Sequence, residues 1–179
     1  MKSFKKKVAV ITGAGSGIGR YLAILLAKDG ADVCVCDINK KTLDETVNML
    51  RKYNVSVSSH ILDVSNKESI EELPKKVIEH HGKVDMVFNN AGVNNGSHFK
   101  DMREDSWDWV MSINFEGVVN GTRAFIPHMI NNSEAAIVNI SSIFGIVAVP
   151  GQSAYHASKF GVRGFTESLA LEMKQTNPN

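Results

Sequence analysis

The sequence predicts an α/β fold in which a doubly wound parallel sheet is covered by helices on both faces. Short apolar runs alternate with longer segments of helical period, an order typical of strand–helix–strand units. The apolar runs are mostly continuous, as in strands buried on both faces. A hydrophobic content of 43% in 179 residues is enough for one buried core, so we expect a single domain over residues 1–179.

Five strands and five helices are predicted in alternation. The strands are expected at 8–12, 31–36, 55–61, 84–89 and 135–140, and the helices at 16–28, 40–52, 66–80, 104–130 and 152–174. Ser65 and Glu68 have the spacing of a capping box at the start of the third helix. Gly30 and Gly82 stand where the first and third helices should end.

A glycine-rich turn, TGAGSGIG at 12–19, joins the first strand to the first helix. A pyrophosphate needs close backbone approach and N–H groups from a helix N-terminus, and glycines permit both. The spacing is T-G-x-x-x-G-x-G rather than G-x-G-x-x-G. Asp37 lies eighteen residues beyond Gly19, near the spacing at which an acid meets the adenosine ribose. The predicted dinucleotide-binding residues here are Gly13, Gly15, Ser16, Gly17, Ile18, Gly19 and Asp37.

Three segments in order, TGAGSGIG at 12–19, NNAG at 89–92 and YHASK at 155–159, resemble the short-chain dehydrogenase/reductases. The resemblance covers essentially the whole chain. It implies Rossmann-type binding of NAD and hydride transfer between NAD(H) and a small alcohol or carbonyl substrate. It also implies that Asn90, Ala91 and Gly92 pack against the cofactor, that Asp63 contacts the adenine amino group, and that Val64 offers backbone contacts.

Tyr155 and Lys159 can supply the proton chemistry of such a reaction. Alcohol oxidation needs a base, and a free tyrosine with a pKa of about 10 is too weakly ionised. A lysine four residues further along a helix shares its face, and a nearby ammonium favours the phenolate. The resemblance implies that Lys159 also holds the nicotinamide ribose. His156 follows directly, about 100° around the helix, and we expect it at the surface.

The resemblance assigns two further catalytic residues. Ser142, thirteen residues before Tyr155, would hydrogen-bond the reacting oxygen; its neighbour Ser141 would point to the opposite side in strand geometry. Asn114 lies on the apolar stripe of a long helix and would hold a water that links the lysine to solvent. The alternative is a core asparagine satisfied by backbone.

Composition excludes several other classes of function. A formal net charge of +1 gives no reason to expect nucleic acid or an anionic membrane as partner. The histidines do not complete a metal site, and no apolar run is long enough for a membrane span. Cys34 and Cys36 cannot pair comfortably across one residue, which favours a reduced, cytoplasmic setting. The family commonly pairs the helices starting at 104 and 152, so a homo-oligomer is expected.

The sequence ends soon after the YHASK helix, at Asn179. The resemblance implies a further strand, a Pro-Gly turn, a mobile loop and a last strand, so we expect a C-terminally incomplete chain whose fifth strand is an exposed, self-associating edge. Two hypotheses follow: an NAD-dependent oxidoreductase, or a truncated, non-catalytic nucleotide-binding or dimerising remnant. Apolar residues near Ser142 favour a partly apolar substrate without identifying it; they are Ile143, Phe144, Val147 and Val149.

Overall fold

The computed structural model describes residues 3–176; residues 1–2 and 177–179 of the predicted domain lie outside the described residues. Five parallel strands form one sheet in the order β3-β2-β1-β4-β5. The strands are β1 Val8–Thr12, β2 Asp32–Asp37, β3 Val57–Ile61, β4 Met86–Asn89 and β5 Ala136–Asn139. This order, with β1 central, confirms the predicted doubly wound sheet and brings the carboxyl ends of all five strands to one edge.

Helices cover both faces of the sheet. They are α1 Gly17–Lys28, α2 Lys40–Leu50, α3 Lys67–His81, α4 Glu104–Met111, α5 Gly117–Met129 and α6 Ser153–Thr176. The apolar residues of α1 and α2 pack on one face of β1 and β2. The apolar residues of α3 and α5 pack on the other face. Alternate residues of β1 therefore enter different cores, as strand geometry requires, and the continuous apolar run of β1 is explained.

The prediction of a single helix over 104–130 is wrong, because a π-turn at Ser112–Glu116 separates α4 from α5. A π-turn inserts one extra residue into the helix and is common at functional sites. Asn114 lies inside it and is completely buried. Nothing in the hydrophobic pattern marks the insertion, because the apolar stripe continues across it.

The structure confirms the predicted helix ends at two positions and contradicts a predicted helix start at a third. Gly82 caps α3 in the left-handed region at φ 79°, and Gly30 follows α1 at φ 86°, so both predicted helix stops are confirmed. The capping box at Ser65 is wrong. The side chain of Asn66 accepts from the Ser69 N–H at 2.9 Å and caps α3, while the Ser65 hydroxyl donates to Asp63 at 2.7 Å.

Candidate active site

The glycine-rich turn brings backbone groups close together between β1 and α1. A Cβ at Gly19 would lie 2.3 Å from the Gly13 carbonyl oxygen, and Gly13 itself has φ +65°. Both positions therefore require glycine. The Ser16 side chain makes no capping hydrogen bond to α1. The first N–H groups of that helix stay available to an anion.

Asp37 closes the turn from the end of β2. One carboxylate oxygen accepts from the Gly15 N–H at 2.8 Å, and the other accepts from the Asn39 N–H at 2.9 Å. A Cβ at Gly15 would lie 2.7 Å from the Asp37 carboxylate, so this approach also depends on glycine. Lys40, three residues after Asp37, is exposed and pairs with Asp44 instead. The negative charge at the turn is therefore retained.

A cavity of about 400 Å³ opens at the carboxyl ends of the strands. Such crevices are where open α/β sheets bind their ligands. Ten of the residues predicted to bind the cofactor line it: Gly13, Ser16, Gly17, Ile18, Asp37, Asp63, Val64, Asn90, Ala91 and Gly92. The other four predicted cofactor-binding residues, Gly15, Gly19, Tyr155 and Lys159, are outside the lining. The lining also includes Ile38, Leu62, Val93 and Ile113, which the sequence did not single out.

Asn90 joins the NNAG segment to the glycine turn. Its side-chain amide donates to the Thr12 carbonyl at 2.9 Å and to the Gly13 carbonyl at 3.3 Å. The backbone N–H groups of Asn90 and Ala91 donate to the Thr12 hydroxyl at 3.0 and 3.1 Å. Two walls of the cavity are thereby fixed to each other.

Lys159 is buried where α6 meets the end of β5. Its ammonium donates to the Ile140 carbonyl at 2.8 Å and lies 5.6 Å from the centroid of the Tyr155 ring. A Cβ at Gly92 would be 3.6 Å from Lys159 Nζ, so the ammonium lies beside the rim of the cavity. Burial lowers the pKa of Lys159 to about 8, since desolvation disfavours the charged form.

The Asn114 side chain is satisfied by backbone and by a neighbouring hydroxyl. Its carbonyl accepts from the Val93 N–H at 2.7 Å, and its amide donates to the Val93 carbonyl at 2.8 Å and to Ser158 Oγ at 3.2 Å. These bonds match the alternative expectation of a core asparagine. They connect the π-turn, the segment after NNAG and helix α6.

The two neighbouring serines after β5 have different partners. Ser142 Oγ accepts from the Phe144 N–H at 3.1 Å, whereas the Ser141 hydroxyl donates to the Lys159 carbonyl at 2.9 Å. Ser142 thus stands at the start of the segment leading to Tyr155. Ser141 fixes that segment to α6.

Arg20 is a structural residue of the site that sequence reasoning missed. Its guanidinium donates to the Gly15 carbonyl, to the Thr42 carbonyl at 3.0 Å and to the Thr46 hydroxyl at 2.9 Å, and so fixes the glycine turn to α2. An arginine directly after the last glycine was the available signal. Its donors are used within the protein.

A larger cavity of about 610 Å³ lies along β5, between α5 and α6. Its lining includes Met129, Ile137 and Leu169 and none of the predicted site residues. Among residues 3–176 there is no cluster of histidine, cysteine or acidic side chains able to hold a metal. Within the same range, no helix is long and apolar enough to cross a membrane.

Comparison with known proteins gives one family. The family model "short chain dehydrogenase" matches residues 7–177. The chain is 48% identical over 178 residues to the putative oxidoreductase SadH of Mycobacterium tuberculosis, covering 97% of this chain and 63% of SadH. It is 40% identical over 171 residues to the 3-oxoacyl-[acyl-carrier-protein] reductase FabG of Thermotoga maritima, covering 96% of this chain and 70% of FabG.

A solved structure agrees over almost the whole chain. A short chain dehydrogenase/reductase from Burkholderia phymatum in complex with NAD superposes with a TM-score of 0.96 at 38% identity. The match covers 99% of this chain and 63% of that one. The chain thus spans less than two thirds of SadH and of this structure. Sequence, fold and the arrangement of the turn, NNAG segment and Tyr155 helix agree: the chain belongs to the short chain dehydrogenase family.

Proposed function

We propose that this chain provides the nucleotide-binding and catalytic part of an oxidoreductase that transfers hydride between NAD(H) and an alcohol or carbonyl substrate. The observation that carries the proposal is the position of Lys159. Its ammonium is within reach of the cavity rim at Gly92 and on the same helix face as Tyr155. One cation thereby joins the nucleotide cavity to the acid/base residue.

The cavity fits a dinucleotide. Glycines stand where a Cβ would close the turn, and the free N-terminus of α1 suits a pyrophosphate. Asp37 would take the ribose hydroxyls, Asp63 and Val64 the adenine, and Ala91 and Gly92 the path toward the nicotinamide. When bound, NAD supplies the carbon that accepts or returns the hydride. The described residues bind and orient it.

The proton chemistry falls to side chains of this chain. Tyr155 takes the hydroxyl proton of the alcohol or returns it to the carbonyl oxygen. The Lys159 ammonium, held by the Ile140 carbonyl, favours the phenolate by its charge. Ser142 donates to or accepts from the reacting oxygen and so orients it. The three groups come from the end of β5 and the first turns of α6.

Asn114 has a positioning role in this proposal. Its side chain already bonds to Val93 and to Ser158. The water that the family resemblance assigns to Asn114 would therefore be held by a backbone group of the π-turn. A π-turn shifts a carbonyl out of the regular i→i+4 pattern, which offers such an acceptor. Asn114 thereby holds the π-turn, the cavity wall and α6 in fixed positions relative to one another.

The wider setting of the protein is part of the proposal. Residues 1–179 act as one domain, because two apolar clusters cover the two faces of one sheet. A homo-oligomer is expected from the helix surfaces of α4 and α6. A reducing compartment such as the cytoplasm is favoured by Cys34 and Cys36, which are free thiols.

A turnover screen tests the proposal. The protein at its natural length is mixed with NAD and a cyclic secondary alcohol, a small diol or a sterol, or with NADH and a 3-oxoacyl thioester, and NADH absorbance is followed. NAD-linked turnover of at least one compound is expected. NAD binding by calorimetry without any turnover across the panel would favour the non-catalytic alternative, and absence of both would refute the proposal.

A further inference from the structure

The segment from Ser142 to Tyr155 separates two of the proposed catalytic groups by thirteen residues. It contains a 3-10 turn at Ile143–Gly145 and then runs as an irregular loop to the start of α6. Several of its apolar side chains are exposed, Ile143 at 63% and Ile146 at 58%. Exposed irregular loops are ordinarily variable in position, so something must hold this one if Ser142 and Tyr155 are to act together.

His156 holds it. The imidazole is only 8% exposed, so the expectation of a surface residue is wrong, because the loop folds back over this side of α6. Its Nδ1 lies 2.9 Å from the Phe144 carbonyl oxygen, and its Nε2 lies 2.9 Å from the Val149 nitrogen, whose N–H donates to it. Both ends of the loop segment 144–149 are thereby bonded to one ring.

The two partners determine the state of the ring. A backbone N–H can only donate, so Nε2 accepts from Val149 and carries no proton. A carbonyl can only accept, so Nδ1 carries the proton and donates to Phe144. His156 is therefore a neutral Nδ1–H tautomer. Protonation of Nε2 would remove the acceptor for Val149.

Phe144 transmits this bond to the proposed catalytic groups. Its N–H donates to Ser142 Oγ at 3.1 Å, its carbonyl accepts from His156, and its ring meets the Tyr155 ring edge-on, with centroids 6.2 Å apart. The same ring lies 4.8 Å from the His156 ring. One residue thus contacts Ser142, Tyr155 and His156 at once.

The geometry points to His156 as a positioning residue of the active site: its neutral imidazole fastens the 144–149 loop to α6 and so sets Ser142 and Phe144 against Tyr155. Neither His156 nor any residue of the 144–149 loop lines the cofactor cavity. Loss of the imidazole should therefore disturb use of the alcohol or carbonyl and leave NAD binding intact. The kinetic consequence rests on the proposed function; the bonding does not.

Two matched substitutions separate the bonds from the shape of the ring. His156→Phe keeps a ring against Phe144 and removes both hydrogen bonds. His156→Gln offers one N–H and one carbonyl oxygen and can restore them. His128→Phe is the control, because His128 is an exposed histidine of α5. Thermal unfolding of each variant checks that the fold is kept.

Nuclear magnetic resonance on ¹⁵N-labelled protein tests the bonding directly. We expect His156 as the Nδ1–H tautomer and a Val149 amide protected from exchange in wild type, and loss of that protection in His156→Phe but not in His128→Phe. An Nε2–H tautomer, or equal Val149 exchange in wild type and His156→Phe, would overturn the inference. This arm decides even if the turnover screen finds no substrate.

Kinetics with the best compound of the screen test the consequence. His156→Phe should lower kcat/KM by about tenfold or more, as expected for a displaced catalytic group, with Kd for NAD within about twofold of wild type. His156→Gln should recover most of the loss. Unchanged kcat/KM in His156→Phe, or an equal loss in both variants, would contradict the positioning role.

Discussion

At the scale of single residues, we propose that Asp37 makes the cavity prefer NAD to NADP. Its carboxylate is fixed by the N–H groups of Gly15 and Asn39. Arg20, in the first turn of α1, donates to the Gly15 and Thr42 carbonyls and the Thr46 hydroxyl and pairs with Glu45 instead. The 2′-phosphate of NADP would meet an unneutralised carboxylate. NAD carries two ribose hydroxyls at that position, which suit an acceptor.

We therefore predict that wild type binds NAD at least about tenfold more tightly than NADP. Asp37→Asn removes the charge and keeps an acceptor for the Gly15 N–H. It should therefore reduce the ratio of the NADP to the NAD dissociation constant, with a small loss of NAD affinity. Asp37→Ala should narrow the ratio and weaken NAD further, because the turn loses its support. Titration calorimetry measures all three. Equal or tighter binding of NADP by wild type would refute this account of Asp37.

Lys159 makes stability depend on pH. Its pKa of about 8 in the folded protein lies below the ordinary 10.5, so between these values the unfolded chain holds a proton that the folded chain has lost. Stability then rises with pH. Below pH 8 the lysine is charged in both states and its contribution is constant. Over the whole pH range between the two pKa values, the free energy of unfolding should increase by about 3 kcal/mol.

Urea unfolding at a series of pH values tests this prediction. The free energy of unfolding of wild type, minus that of Lys159→Met, should be flat up to about pH 8 and increase above it. The difference cancels the titration of every other group. If the difference in unfolding free energy stays constant up to pH 10, burial does not lower the pKa of Lys159.

At the scale of elements, Asn114 connects the π-turn between α4 and α5 to the segment that follows β4. Its side chain satisfies both backbone groups of Val93 inside the protein. Asn114→Ala would remove two hydrogen bonds to the part-buried backbone of Val93, a loss of about 1–3 kcal/mol at about 0.5–1.5 kcal/mol for each bond. We predict a loss of that size in urea unfolding, with Asn120→Ala on α5 as a milder control. A loss no larger than that of the control would contradict the role given to the side chain.

The elements differ in how far the sequence predicted them. Strand positions follow from continuous apolar runs and glycine stops, which are local signals, whereas the order of the strands in the sheet was implied only by the family resemblance. Inside the π-turn at Ser112–Glu116, Asn114 bonds to Val93, 21 residues earlier in the sequence. His156 is buried by the 144–149 loop, which folds back onto α6. Neither contact can be read from the periodicity of the helix. The cavity-lining residues followed from the motifs. The hydrogen bonds by which Arg20 and Thr46 hold the glycine-rich turn against α2 could not be predicted, because a contact of one side chain produces no periodic pattern in the sequence.

At the scale of the whole molecule, β5 is the outermost strand of the described sheet and bonds only to β4. The apolar cavity beside it includes Leu169 of α6. Unpaired strand edges beside apolar surface invite pairing with another chain. This supports the expectation that the 179-residue chain self-associates.

Sedimentation velocity of the 179-residue chain tests self-association. Wild type should form dimers or larger species at micromolar concentration. Leu169→Glu, which places a charge in the cavity, should shift the distribution toward monomer. Met49→Glu is the matched control, because Met49 is exposed on α2 and lies outside the cavity lining. A wild-type monomer at all concentrations would contradict the prediction, and so would an equal effect of both charges.

The most direct test of the central claim follows the hydride itself. A secondary alcohol deuterated at its carbinol carbon is incubated with NAD and the protein at its natural length, and the NADH formed is analysed by mass spectrometry. We predict one deuterium in each NADH. In Tyr155→Phe, turnover should fall by about 10²–10⁴-fold while NAD still binds. NADH without deuterium, or a Tyr155→Phe variant with wild-type turnover, would contradict the account.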